Sequence, residues 1–254
     1  PNGRDSFWAA VSRAVRTPSR GELGTTIFIS APPATFLPFA TVGAPGMDSE
    51  RLKALDMGWR RQWSPSLTSD VAAFYYRYSD LRGVIPGGAP LLYQGAFPYL
   101  PLNLTNTIGA ESYGLEVAVD WLPRQDWRLQ FNTSLFGIND LDPVPGVSSD
   151  EFIGSTPSHQ VSLRSSLDIT PKLQWDVWLR RVGKLRGTST GQEAAPAYTT
   201  LDMRLAWKPR KDLQLSLVGQ NLLDSAHLER IMTNFNSIPV EVERGVYVKV
   251  DWKF

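Results

Sequence analysis

Apolar and polar side chains alternate one for one along most of this chain, and that period of two restricts the fold more tightly than any motif. At the end of the sequence Val246, Val248, Val250, Trp252 and Phe254 alternate with Tyr247, Lys249, Asp251 and Lys253. Successive side chains of a strand point to opposite faces, so one face here is apolar and the other charged. The same division recurs upstream. Leu213, Leu215 and Leu217 oppose Gln214 and Ser216; Leu201, Met203, Leu205 and Trp207 oppose Asp202 and Arg204; Leu173, Trp175, Val177 and Leu179 oppose Gln174, Asp176 and Arg180. Val161, Leu163, Leu167 and Ile169 oppose Arg164 and Asp168, Trp127, Leu129 and Phe131 oppose Arg128 and Gln130, and Leu115, Val117, Val119 and Trp121 oppose Glu116 and Asp120. Residues 6–16, 49–62 and 67–81 are also strand-like, with a less defined facing. Together these segments make ten strands whose two faces meet two different solvents.

The connections alternate in length. Short turns are expected at 63–66, 123–126, 170–172 and 208–212, each holding a proline, a residue that suits a reversal and cannot donate to a ladder. Between them run long stretches rich in Gly, Pro, Ser and Asn at 17–48, 82–101, 138–157, 184–196 and 224–240. Short-long alternation implies antiparallel neighbours with every long loop at one end of the sheet. The irregular spacing of the turns excludes a propeller or solenoid of fixed period.

The tryptophans supply an independent test. Trp59, Trp63, Trp121, Trp127, Trp175 and Trp207 fall in or beside short turns, Trp252 lies at the chain end and Trp8 near its start, leaving only Trp178 elsewhere. Indole prefers a membrane boundary, where its body is in oil and its N–H stays wet. The expected interface belt is therefore Trp59, Trp121, Trp127, Trp175, Trp207, Trp252 and Phe254. The expected inward set is Glu116, Asp120, Arg164, Asp176, Arg180, Asp202, Arg204, Lys249 and Asp251. Its mixed signs suit ion pairs across a lumen, or contact with a docked internal domain, better than a charge-selective pore. This pattern predicts an all-β, antiparallel, up-and-down transmembrane β-barrel, in which hydrocarbon obliges every backbone donor to pair across strands.

Other classes find little support. The chain has no cysteine and only two histidines, His159 and His227, which removes thiol chemistry and leaves no metal-ligand cluster or histidine-based triad in local sequence. No nucleophile elbow or phosphate-binding glycine loop occurs, and no cofactor is expected. Lys plus Arg number 26 against 25 Asp plus Glu, with no basic block, so nucleic acid is not an expected partner. No apolar run reaches the length of a membrane-spanning helix, and no secretory leader is visible in residues 1–6. His227 and Glu229 read as a solvated turn rather than as metal ligands, and Asn221 and Asp224 as turn-capping residues.

Several segments resemble the C-terminal half of TonB-dependent outer-membrane receptors. They are Ser12-Arg13-Ala14-Val15-Arg16-Thr17-Pro18-Ser19, Phe74-Tyr75-Tyr76-Arg77-Tyr78-Ser79-Asp80-Leu81, Ser112-Tyr113-Gly114-Leu115-Glu116, Tyr198-Thr199-Thr200-Leu201-Asp202-Met203-Arg204 and Gly219-Gln220-Asn221-Leu222-Leu223-Asp224, with Phe254 closing the last strand. Their order covers nearly the whole chain. The resemblance implies that residues 1–254 are the last ten strands of a plugged barrel of about 22, located in the outer membrane of a Gram-negative bacterium. It also implies surrounding lipid, an N-terminal plug and the remaining strands elsewhere in the parent chain, coupling to TonB, and uptake of a scarce nutrient, a ferric siderophore above all. Some haem receptors of this kind carry Phe-Arg-Ala-Pro before the long loop and a histidine in that loop. Here Val15-Arg16-Thr17-Pro18 stands at that place and residues 17–48 hold no histidine, which speaks against haem.

Arg20, Phe36, Phe39, Arg82, Tyr93, Phe97 and Tyr99 lie in the long loops. They are the candidate contacts for an aromatic, anionic iron chelate, by stacking and charge pairing; the bland reading is that loop aromatics pack the loops on one another. Two other functions are compatible with a barrel. One is a passive porin or structural barrel of ten strands closed on themselves. The other is an outer-membrane hydrolase, for which His159 is the residue to watch. An open ten-stranded sheet has two unpaired edges, so closure, pairing with a second copy, or flanking strands from a parent chain are the expected remedies.

Overall fold

A computed structural model describes residues 3–29, 37–141, 154, 156–185, 195–229 and 240–254. The chain is almost entirely strand, in the order β1 (Asp5–Arg16), α1 (Arg20–Gly24), β2 (Thr26–Ile29), β3 (Phe39–Val42), β4 (Glu50–Ser64), β5 (Leu67–Pro86), β6 (Leu91–Tyr93), β7 (Phe97–Arg124), β8 (Trp127–Asp140), β9 (His159–Thr170), β10 (Leu173–Val182), β11 (Tyr198–Arg210), β12 (Leu213–Gln220), β13 (Ala226–Leu228), β14 (Glu241–Glu243) and β15 (Gly245–Trp252). Ten of these form one continuous path, β1-β4-β5-β7-β8-β9-β10-β11-β12-β15. They are the ten strands that the alternation predicts. Every neighbouring pair along the path is antiparallel.

Two residues suffice for each expected short turn: Pro65 and Ser66, Gln125 and Asp126, Pro171 and Lys172, and Lys211 and Asp212 connect their strands. A ladder shift accompanies each turn, which adds local twist where the chain reverses. The long connections all lie at the opposite end, and there the strands outrun the sequence reading. β5 continues to Pro86 and β7 starts at Phe97, inside the stretch read as the loop 82–101, while β2 and β3 occupy part of 17–48. Alternation fades at this end, yet the backbone still satisfies its donors by pairing. Accordingly β6 pairs with β7, β2 with β3, and β3 runs parallel to β7 with Ala40 opposite Pro101.

Residues directly opposite in a ladder share a face, so the register assigns the two sides of the sheet. Trp59 faces Val71, which faces Val117; Trp121 faces Leu129; Trp127 faces Leu167, then Trp175, then Leu205; Trp207 faces Leu215, then Val250; Trp252 faces Leu213. These residues lie on one apolar face that the described residues leave uncovered, with Val11 84% exposed at its edge. Five buried small residues of the long strands, Ala54, Ala110, Ser112, Ala206 and Ser216, lie on the other face beneath longer neighbours. The sheet therefore curls toward its polar side.

Trp8 departs from the expectation that it joins the turn-end belt. It pairs with Gly58 on the polar face and lies across it, where a Cβ on Gly58 would stand 2.3 Å from the indole Nε1. Phe74 covers Gly114 in the same manner, with a Cβ there only 2.4 Å from the Leu135 carbonyl. The two edges of the path, β1 and β15, do not pair with each other among the described residues.

Candidate functional site

The loop end of the sheet is held by a charge network built around α1. Ser19 caps this helix: its hydroxyl accepts from the Glu22 N–H at 3.3 Å, and the Glu22 carboxylate accepts from the Ser19 N–H at 2.7 Å. Glu22 is only 7% exposed. Arg16 at the end of β1 bonds Glu22 at 2.9 Å and Glu50 of β4 at 2.5 Å, while Arg82 of β5 reaches Glu22 at 3.3 Å and donates its backbone N–H to Glu50 at 3.0 Å. The buried Glu22 carboxylate thus ties β1 and β5 to the first long loop, and Arg16 carries the link on to Glu50 of β4. α1 lies beyond the apolar band, and there the Arg16 guanidinium, outweighing burial, holds the Glu22 carboxyl down to about 2. The 43–44 segment closes on α1, with the Ala44 N–H donating to the Glu22 carbonyl at 2.8 Å. A Cβ on Gly43 would lie 2.7 Å from the Gly24 nitrogen, so the approach requires glycine.

The expected ligand contacts separate into different environments. Tyr99 is 6% exposed and meets Phe28 edge-on at 5.5 Å, with Tyr93 on the same ring at 5.0 Å. This cluster sews β2, β6 and β7 together, the packing role that loop aromatics most often have. Phe39 is half-buried in β3, and Arg82 is committed to Glu22. Arg20, at the start of α1, and Phe97, at the start of β7, are exposed. Phe36 lies outside the described residues. The seven are therefore not one pocket: Tyr93, Tyr99 and Phe97 lie near one another, Arg82 belongs to the anchor, and Arg20 stands apart.

The nine charged residues read as inward lie on a single face. Asp120 faces Gln130, which faces Arg164, then Trp178, then Asp202; Arg204 faces Asp176 and Val218, which faces Tyr247. Strand parity adds Glu116, Arg180, Lys249 and Asp251 to that face. Arg204 bonds Asp176 at 2.6 Å and Gln174 at 3.0 Å, Lys249 meets Asp251 at 2.9 Å, Arg128 is bonded to Asp120, and Asp202 accepts the Asn221 N–H at 2.8 Å. Trp178 is on this face too, its indole N–H donating to Ser162 at 2.8 Å. A hollow of about 330 Å³ opens here, lined by Asp70, Glu116, Asn132, Ser134, Gln160 and Arg180. Polar side chains able to bond a second protein surface line it, and no group of three potential metal ligands occurs among the described residues.

His227 corrects the reading of a solvated turn. It is 6% exposed, stacked on Tyr198 at 4.2 Å, and its Nε2 lies 3.3 Å from Glu229, which also holds Arg180 at 3.2 Å. β13 pairs with β14 here and the His227 ring rests on Tyr198 at the start of β11, contacts that local sequence does not announce.

The model for the family described as TonB dependent receptor-like, beta-barrel, matches residues 1–222. The chain belongs to the TonB-dependent receptor family. Solved receptor structures repeat the fold. The ferric enterobactin receptor PfeA of Pseudomonas aeruginosa is 16% identical with a TM-score of 0.71, the chain covering all of its own length and 38% of that structure. The ferric-catecholate import receptor Fiu of E. coli K12 is 14% identical with a TM-score of 0.71, with 100% and 33% covered. The siderophore receptor PirA of Acinetobacter baumannii is 17% identical with a TM-score of 0.69, with 100% and 39% covered. The chain therefore spans well under half the length of each of these receptors. No curated protein matches it.

TonB-dependent receptor barrels are outer-membrane proteins, and the family consists of transporters rather than enzymes. His159, the residue on which a hydrolase reading turns, is exposed beside Ser158 at 3.3 Å. Sequence reasoning missed the Glu22 anchor of the receptor barrel. Its signal was present as Ser19 followed three residues later by Glu22, the capping-box spacing.

Proposed function

We propose that residues 1–254 form the C-terminal part of the barrel of an outer-membrane receptor that takes up a ferric siderophore, driven through TonB by parts of the parent protein that this chain does not include. The observation that carries this reading is the family match over residues 1–222 on a sheet with one uncovered apolar face and one ion-paired face. The apolar face meets lipid, with Trp59, Trp121, Trp127, Trp175, Trp207, Trp252 and Phe254 at the turn-end boundary. The polar face, with Glu116, Asp120, Arg164, Asp176, Arg180, Asp202, Arg204, Lys249 and Asp251, meets the plug. Arg20, Phe97 and Tyr93 are the loop residues best exposed to an incoming chelate.

Similarity to receptors named for ferric enterobactin and ferric catecholate makes a catecholate the first ligand to try. The full-length protein is expressed in a strain stripped of its own catecholate receptors, and entry of radiolabelled iron as ferric enterobactin is measured with TonB intact and deleted. Uptake that disappears with TonB is the expected result. Uptake indifferent to TonB, together with steady ion conductance in a planar bilayer, would mean a passive barrel instead.

A further inference from the structure

The ladder between β5 and β7 slips twice in mid-strand, whereas the other shifts along the path all adjoin two-residue turns. Tyr78 is opposite Ala110, and unbroken pairing would set Asp80 opposite Ile108. Instead Leu81 is opposite Ile108, so Ser79 and Asp80 together oppose Gly109. The second slip sets Gly83 opposite Thr105, so Asn106 and Thr107 together oppose Arg82. The two extra residues cancel, and the original register resumes. The first bulge exchanges a carboxylate for a leucine in an apolar cluster. Leu81 packs with Ile108 and Ala110, all buried, beside Tyr78; a carboxylate in that place would be stripped of water among apolar side chains. At φ 58° Asp80 occupies the left-handed region, which Asp and Asn enter and β-branched residues do not. Its carboxylate is turned to Arg51 at 2.7 Å. The second bulge supplies Asn106, whose amide donates to the Asp80 carbonyl at 2.7 Å and whose side-chain oxygen accepts the Asp48 N–H at 2.8 Å. Each bulge thus completes the other.

Bulges bend a strand and raise its twist, and they are common where a side chain must be re-aimed. The height of this pair gives the bend its consequence. From Leu67 at the turn end to Asp80 is about 43 Å of strand, or about 30 Å of height at barrel tilt, against an apolar band of about 25 Å. The bulges therefore stand just outside the band, and residues 81–108 form an extension beyond it. That extension carries Tyr93, Phe97 and Tyr99 and pairs with β3. Directly after the bulge Arg82 reaches Glu22 and gives its N–H to Glu50. Glu50 is opposite Arg16, on the face that also holds Trp8 and Gly58, so the extension leaves the bulge toward the polar side of the sheet.

We infer that Asp80 and Asn106 are positioning residues for ligand capture: their paired bulges aim the 81–108 extension toward the polar side of the sheet, so that Phe97 and Tyr93 stand over the barrel mouth. This rests on the receptor function proposed above.

The test uses the full-length protein and two readouts. Spin labels at Ala89→Cys on the extension and Lys184→Cys beyond β10, both exposed, report their separation by pulsed EPR. Affinity for ferric enterobactin is measured on unlabelled protein by quenching of tryptophan fluorescence. Asp80→Gly and Asp80→Asn both accept a positive φ and lose only an exposed ion pair, so separation should stay as in wild type and affinity within about twofold of it. Asp80→Val cannot adopt that φ, and Asn106→Leu removes both side-chain bonds. Each should shift the separation and weaken binding about tenfold, the equivalent of one strained residue, while the melting of the barrel strands is unchanged. Should Asp80→Val not fold, Asn106→Leu decides. An unshifted separation in Asn106→Leu, a shifted separation with unchanged affinity, or a loss in Asp80→Gly as large as in Asp80→Val would each overturn the positioning role. Failure of the receptor reading looks different: wild type itself would then bind no ferric chelate, and a role defined by capture would fall with it.

Discussion

Glu22 is the residue on which the loop end depends, and its ionisation makes that dependence measurable. Its carboxyl is held at about 2, against an ordinary value of 4.5, by the hydrogen bond from Arg16. A depressed folded value contributes stability that is complete above 4.5 and is lost as pH falls through about 2. The side chain is nearly buried, so the contribution is substantial, on the order of 3 kcal/mol for a shift of this size. The protection of amides 19–25 of the full-length protein, taken relative to their intrinsic exchange rates at each pH, should fall progressively as pH drops between those limits while the strands stay protected. Glu22→Gln should give fast exchange already at neutral pH and flatten the pH dependence. A wild-type profile that is flat over the same range would mean that the anchor is not electrostatic.

The elements were legible to very different degrees, for a physical reason. Wherever one side of a strand meets oil and the other does not, the sequence must alternate, so the ten long strands and their four proline-bearing turns could be read directly. β2, β3, β6, β13 and β14 lie where both sides meet water or other loops, so no alternation marks them. The facing of β1, β4 and β5 was obscure because aromatic residues occupy both sides: Trp8, Phe74 and Tyr76 on the polar face, Phe7, Trp59 and Tyr75 on the apolar one. Only the register resolves this. A substitution on the last strand tests the facing itself. Val248 is opposite Leu217 on the apolar face, and Asp251 is opposite Gln214 on the polar one. Val248→Arg should cost about 2 to 4 kcal/mol of folding stability in bilayers, as a cation near the midplane does, whereas Asp251→Asn loses only an exposed ion pair, worth less than about 1 kcal/mol. Denaturant titration of the full-length protein refolded into lipid vesicles distinguishes the two, and equal losses would reject the assignment of faces.

For the whole molecule the decisive feature is the pair of edges. β1 offers the backbone of Asp5–Arg16 and β15 that of Gly245–Trp252, each bonded on one side only among the described residues. In an antiparallel strand about half of the N–H and C=O groups point to each side. In hydrocarbon each group left unpaired costs several kcal/mol, a total larger than the net stability of an ordinary domain. A lone open sheet is therefore not a stable membrane state of residues 1–254. On the function proposed above, flanking strands of the parent protein complete the ladder, and a single barrel should result. Produced alone in detergent, residues 1–254 should associate edge to edge into species larger than one chain, as light scattering coupled to size exclusion would record. A proline at Val11, which sits in the middle of β1, should reduce that association by removing a donor and blocking approach to the edge. A monodisperse single chain in detergent, with amide protection along β1 and β15 equal to that of β8, would mean instead that ten strands close on themselves, and with it that the passive barrel is the better reading.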